Sequence, residues 1–253
     1  MDDVALSHQH VVHLMFAPTA LQLSRCRPKR AETALLRVIP EMANITSDNC
    51  DAVLSSAQLI CFVNWAKGPQ PGEYLAFGDH GRSDWLVMFC GVWTTLNSLA
   101  RQNFTKTYAP DLRTKGRSLP PMMKPDGYEE QLSDLRDHVL AVIEPSGGDV
   151  NVCAVDDLTE CYASRYDGVN GELHVSFVWL YRMPDLFLDR LQGRDPTALI
   201  IYAHFVVLMH EMERFWYLKG WTHHVMSGIF HTLDREHIAW IRWPRARVEW
   251  VAP

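Results

Sequence analysis

The run ALIIYAHFVVLM, Ala198 to Met209, constrains this chain more than any other stretch. Its apolar residues occupy every side of a helix, with no polar stripe between them. Such a helix has no face to give to water, so other elements must pack all round it. The run also has a clear beginning. Asp195 supplies a carboxylate cap, and Pro196 has its φ preset for a first helical turn. Tyr202, His204 and His210 are the polar exceptions. Charges return at Glu211, and Gly220 permits a turn. Beyond it, Trp221, Trp240 and Trp243 join Trp216 in bringing large, rigid area to one end of the molecule.

The rest of the chain reads as further helices and loops. Val4–Arg25, Lys29–Ala43 and Ser47–Trp65 have helical patterning, with Pro18 and Pro40 as interruptions. Lys67–Gly81 is a Gly/Pro-rich loop, and Ser83 is placed to cap a helix carrying Trp85, Leu86, Phe89, Val92, Trp93 and Leu96. Residues 106–127 hold four prolines and many charges, with little to bury, and are expected to form a mobile loop. Tyr128–Ile143, Val152–Tyr166 and Gly171–Leu191 are expected helices, the last bent at Pro184. No useful run alternates with period two. The expected fold class is all-α: one domain over 1–253, a helical bundle around a central apolar helix pair.

The C-terminal motifs carry a resemblance. Ala198, Leu199, Ala203, Phe205, Leu208 and His210 fit an apolar-helix pattern. Trp216, Tyr217, Leu218, Gly220 and Trp221 form a corner, and Leu233, Asp234, Glu236, Trp240, Ile241, Arg242, Trp243 and Pro244 close it. Together they resemble the end of the regulatory domain of fungal zinc binuclear-cluster transcription factors, of the sterol uptake control type. Asn49-Cys50-Asp51-Ala52 is similar to an internal pattern of that family. The resemblance implies an all-helical scaffold holding a hydrophobic ligand. The chain departs from the family where DNA would be read. Its cysteines, at 26, 50, 61, 90, 153 and 161, lack the close spacing of a zinc cluster. Cys90-Gly91 also stands where the family tends to read Arg-Gly.

Charge and motif content exclude several classes. A net charge of −6 gives no basic footprint for nucleic acid. The arginines at 235, 242, 245 and 247 read as a solvated helix end. Val4–Ser24 lacks Asp, Glu, Lys and Arg, but three histidines, two glutamines and Pro18 argue against a membrane span. The acidic start lacks a secretory n-region, and the scattered cysteines fit reduced thiols. Cytoplasmic localisation is therefore expected, or nuclear if the chain still serves a regulator. Asn44-Ile45-Thr46 and Asn103-Phe104-Thr105 then match a glycosylation pattern by chance. No nucleophile elbow, phosphate loop, dinucleotide fingerprint or aspartate-rich box is present.

Histidines invite a metal reading, which fails at each site. His8, His10 and His13 lack a carboxylate or thiol to complete a site. His210-Glu211 begins like a zincin motif, but Arg214 stands where the second histidine is needed. No metal and no cofactor are expected. His204 and Glu211 lie seven apart on one helical face, a candidate acid/base pair.

What remains is apolar space between two oily helices. Phe177, Trp179, Met183, Phe205, Met209, Met212, Trp216 and Trp221 are the candidate ligand-binding residues, and Tyr181, Tyr202 and His204 the candidate polar or catalytic groups. A dense core is the competing explanation for the same residues. Two functions follow if a chamber is left. One is a stand-alone protein binding a sterol or other terpenoid, with no direct nucleic-acid contact and a homodimer as the candidate assembly. The other is a cofactor-free enzyme of natural-product biosynthesis, a pericyclase or Diels-Alderase-like cyclase or an isomerase, acting on a terpenoid or polyketide intermediate in the same pocket.

Overall fold

A computed structural model describes residues 61–62, 64–83, 86–87, 90–91, 124–142, 150–166, 179–180 and 182–252. The expected helices before residue 61, the histidines at 8, 10 and 13, and Tyr181 and Phe177 lie outside the described residues. So does most of the loop expected at 106–127.

The chain divides into two compact units, where the sequence suggests one domain. Met1–Gly68 with Asp84–Thr114 forms the first, and Pro69–Ser83 with Lys115–Pro253 the second. In the first unit, residues 61–62 and 64–66 are helical, as are 86–87 and 90–91. Cys61, Trp65 and Leu86 are buried there, and the ring of Phe62 meets that of Trp65 edge-on.

The second unit is built around the apolar run. Its helices are α1 (Tyr128–Val142), α2 (Val150–Tyr166), α3 (Asp185–Gln192), α4 (Pro196–His210), α5 (Trp221–Thr232) and α6 (Arg242–Arg247). Most described residues are helical and none lies in a strand, so the all-α class holds at that level. The one β feature among them is an isolated bridge between Glu73 and Gly78. No described helix is long and apolar enough to cross a membrane.

α4 begins as its sequence dictates: Asp195 accepts a hydrogen bond from the Ala198 amide at 2.8 Å, with Pro196 in the first turn. Every residue from Thr197 to Met209 is buried. The neighbours that cover it are α2, α3, α5, α6 and the 3-10 turn His237–Ile241. The α-helix ends at His210. Turns of 3-10 helix follow at Glu211–Arg214, where charged residues replace the apolar ones, and at Trp216–Leu218. Gly220 then takes φ +89°, which a side chain would resist, and α5 starts. The Glu213 carboxylate accepts from the Thr222 amide at 2.7 Å, satisfying an N-terminal donor of α5 from outside the helix.

Pro184 interrupts rather than bends its segment. Trp179, Leu180 and Arg182 are helical, and the extended backbone of Pro184 (ψ 148°) separates them from α3. The Gly/Pro loop at 69–83 is docked, with Leu75, Ala76 and Phe77 fully buried. Gln192 of α3 holds it by a paired amide contact, accepting from the Gly78 amide and donating to its carbonyl. Ser83 donates back to the Leu75 carbonyl at 2.7 Å.

Candidate functional site

The residues nominated around Tyr202 are packed against one another. The Trp179 ring lies 4.8 Å from Phe205 and 6.3 Å from Tyr202, both stacked, and meets Phe187 edge-on at 5.7 Å. Phe77 closes on Tyr202 from the docked loop. The polar atoms in this stack are occupied. Trp179 Nε1 donates to the Ala154 carbonyl at 2.8 Å, and the Tyr202 hydroxyl donates to the Tyr74 carbonyl at 3.2 Å. Burial pushes the Tyr202 hydroxyl above its ordinary pKa, with the Ala76 backbone partly offsetting it. Met183, Met209, Met212 and Trp221 are likewise buried, while Trp216 is 40% exposed.

His204 stands apart from that stack because it is two residues on from Tyr202 and leaves α4 about 200° away. It is 2% exposed. Its Nδ1 lies 2.9 Å from the Ile200 carbonyl one turn earlier. A carbonyl only accepts, so Nδ1 carries the hydrogen, which fixes the tautomer. Burial pulls the imidazole pKa down to about 4, against a weaker upward pull from the Ile200 contact. The ring is therefore neutral at ordinary pH, and Nε2 presents a lone pair.

Nε2 has no hydrogen-bond partner among the described residues, and His204 lines a groove of about 480 Å³. One wall is the α1 face bearing Gln131, Asp134 and Leu135, spaced so that they project together. The other is the closing segment, with Trp240 and Trp243; Ala239 and the exposed Arg242 complete the lining. The volume falls within the range of small-molecule sites.

Each tryptophan wall is held from behind. Trp243 Nε1 donates to the Asp126 carbonyl at 3.2 Å, and its ring stacks parallel to His204 at 5.9 Å. Arg247 donates to the same carbonyl, with its guanidinium over the Trp243 ring. Trp240 stacks on His138 of α1 at 3.9 Å. Burial, and then His237, hold the His138 pKa below its ordinary value. Upstream, Asp234 Oδ1 accepts from the amides of Glu236 and His237 and from the His237 ring, shaping the turn that delivers Trp240.

The suggested pairing of His204 with Glu211 does not form. Seven helical residues place them about 10 Å apart along the axis, and Glu211 is engaged elsewhere. Its Oε2 accepts from Arg165 Nε at 2.8 Å, and its Oε1 accepts from the Tyr166 hydroxyl. Of the nominated residues that are described, His204 alone lines the groove. Gln131, Asp134, Leu135 and Arg242 were not nominated as ligand contacts. Trp240 and Trp243 entered only as parts of the C-terminal motif. The α1 spacing at 131, 134 and 135 is an amphipathic signal, but it does not say what that face meets. Among the described residues, no group of three or more His, Cys, Asp or Glu could hold a metal, and Cys61, Cys153 and Cys161 are free thiols.

The chain matches no protein-family model, no curated protein and no solved structure.

Proposed function

We propose that the protein binds a hydrophobic small molecule, seated in the groove between α1 and the closing segment with His204 at its base. The observation that carries this reading is a neutral, buried imidazole lining a groove walled by two indoles. Aromatic walls offer area to a flat apolar ligand, and a single inward polar group orients it. A terpenoid or sterol-like ligand is the class that the resemblance of the C-terminal motifs implies.

Binding is better supported than catalysis by the groups at hand. A general base works best with a pKa near the operating pH. An imidazole drawn down to about 4 makes its protonated form about 3 kcal/mol harder to reach than in water. Its Nδ1–H is spent on Ile200, so it has no second donor to offer a developing oxyanion. Tyr202 spends its hydroxyl on the Tyr74 carbonyl.

The test is extraction of the purified protein with mass spectrometry of any co-purified apolar compound, alongside fluorescence titration with 2-methoxynaphthalene. Wild type is expected to carry such a compound or to bind the probe, and Trp243→Ala to weaken probe binding at least about tenfold. An empty extract together with no probe binding would end this reading.

A further inference from the structure

Resting on that binding reading, we propose that the groove selects ligands carrying an O–H or N–H donor, which hydrogen-bonds to Nε2 of His204. The argument is one of unmet capacity. Neutral histidine has one donor and one acceptor nitrogen. The donor is Nδ1–H, committed to the Ile200 carbonyl at 2.9 Å. The acceptor, Nε2, belongs to a residue 2% exposed that lines the groove, and no described residue donates to it. Nε2 has no partner among the described residues and is not one of the fully buried unpartnered atoms, so it opens on the groove, and a ligand that covers it must bring a donor of its own to replace solvent.

The surroundings define that partner further. Trp243 lies parallel to the imidazole at 5.9 Å, so a flat ring system entering beside it keeps its edge, and an edge substituent, within reach of the imidazole. A ligand offering only acceptors would set a lone pair against Nε2. A ligand with no polar edge would leave the nitrogen dry and unpaired, which costs affinity. The selected class is therefore a flat, largely apolar alcohol, phenol or N–H heterocycle.

Two probes of one shape separate the inference from the reading beneath it: 2-naphthol, with a donor, and 2-methoxynaphthalene, without one. The full chain is expected to bind 2-naphthol about tenfold more tightly. His204→Phe should bind the two equally, and Asp137→Asn, on α1 outside the groove lining, should keep the preference. Equal binding by wild type, or a preference that persists in His204→Phe, overturns the inference and leaves the binding reading intact. Failure of wild type to bind either probe overturns both. Should His204→Phe not fold, the 15N shift of His204 Nε2 in wild type decides. It moves toward the hydrogen-bonded range with 2-naphthol alone if the inference holds, and moves with both probes or neither if it does not.

Discussion

Nε of Arg165 lies 2.8 Å from Oε2 of Glu211, and the two side chains are only 3% and 8% exposed. The pair joins the last turn of α2 to the residue that ends α4, and the Tyr166 hydroxyl donates to the second carboxylate oxygen. Burial and the Glu211 contact push the Tyr166 hydroxyl well above its ordinary pKa, so it stays protonated and remains a donor. Removing one member of a buried pair strands the other's charge in a dry site. Glu211→Ala is expected to cost about 3–5 kcal/mol of unfolding free energy. The double variant Arg165→Met/Glu211→Leu should cost much less than the two single changes added together. Urea denaturation of wild type, Glu211→Ala, Arg165→Met, Glu211→Leu and the double variant measures both, and additive losses would mean the pair is not coupled.

Gly228 in α5 is required by contact rather than by backbone conformation. A Cβ built there would clash with Cε1 of Tyr74, whose ring also stacks on His224 at 5.1 Å. The Tyr74 ring is thus the clasp between α5 and the docked loop. Gly228→Ala is expected to destabilise by about 1–3 kcal/mol despite alanine's better helix propensity. Limited proteolysis should cut within 69–83 sooner in that variant. In Gly228→Ala/Tyr74→Ala the clash is gone, so the double variant should lose less than the summed singles.

The Asp195 cap gives a smaller effect. Its carboxylate accepts the Ala198 amide at the head of a helix otherwise surrounded by apolar side chains. Asp195→Ala should cost about 1 kcal/mol, and Asp195→Asn or Asp195→Ser should restore most of it. Thermal unfolding followed by circular dichroism resolves a loss of this size. An alanine variant as stable as wild type would show that the packing alone holds the first turn.

The core was legible because it follows from local chemistry. An all-apolar run with a cap must be a buried helix, and α4 starts at the residue its sequence names. Helix α1 and most of α2 could be placed from their patterning. The groove was not legible, because its two walls come from segments about a hundred residues apart. Nothing at Gln131, Asp134 or Leu135 announces that Trp240 and Trp243 will face them. The role of Glu211 was hidden for a related reason: helical spacing put it on the face of His204, but Arg165 and Tyr166 of α2 claim its carboxylate. His204 itself could be nominated as a polar exception in an apolar helix. Its separation from Tyr202 follows from a two-residue offset, which the choice of both as site residues did not weigh.

The imidazole of His204 makes stability depend on pH in a direction that can be worked out. Its ordinary pKa is 6.5, and in the folded protein burial lowers it to about 4. Between those values the unfolded chain holds more protons than the folded one, so stability rises with pH. The full contribution is present above about pH 6.5 and drains away as pH falls through about 4. The total is about 3 kcal/mol for this one group. His138, also lowered by burial, adds a loss of the same sign. The comparison that isolates His204 is therefore wild type against His204→Phe, by urea midpoint at each pH. The difference in unfolding free energy between the two should change by about 3 kcal/mol between pH 7 and pH 4, with wild type losing more. Parallel profiles would mean that the ring already carries a proton in the folded state or reaches water freely. In either case the neutral, desolvated imidazole on which the selection of donors rests would be missing.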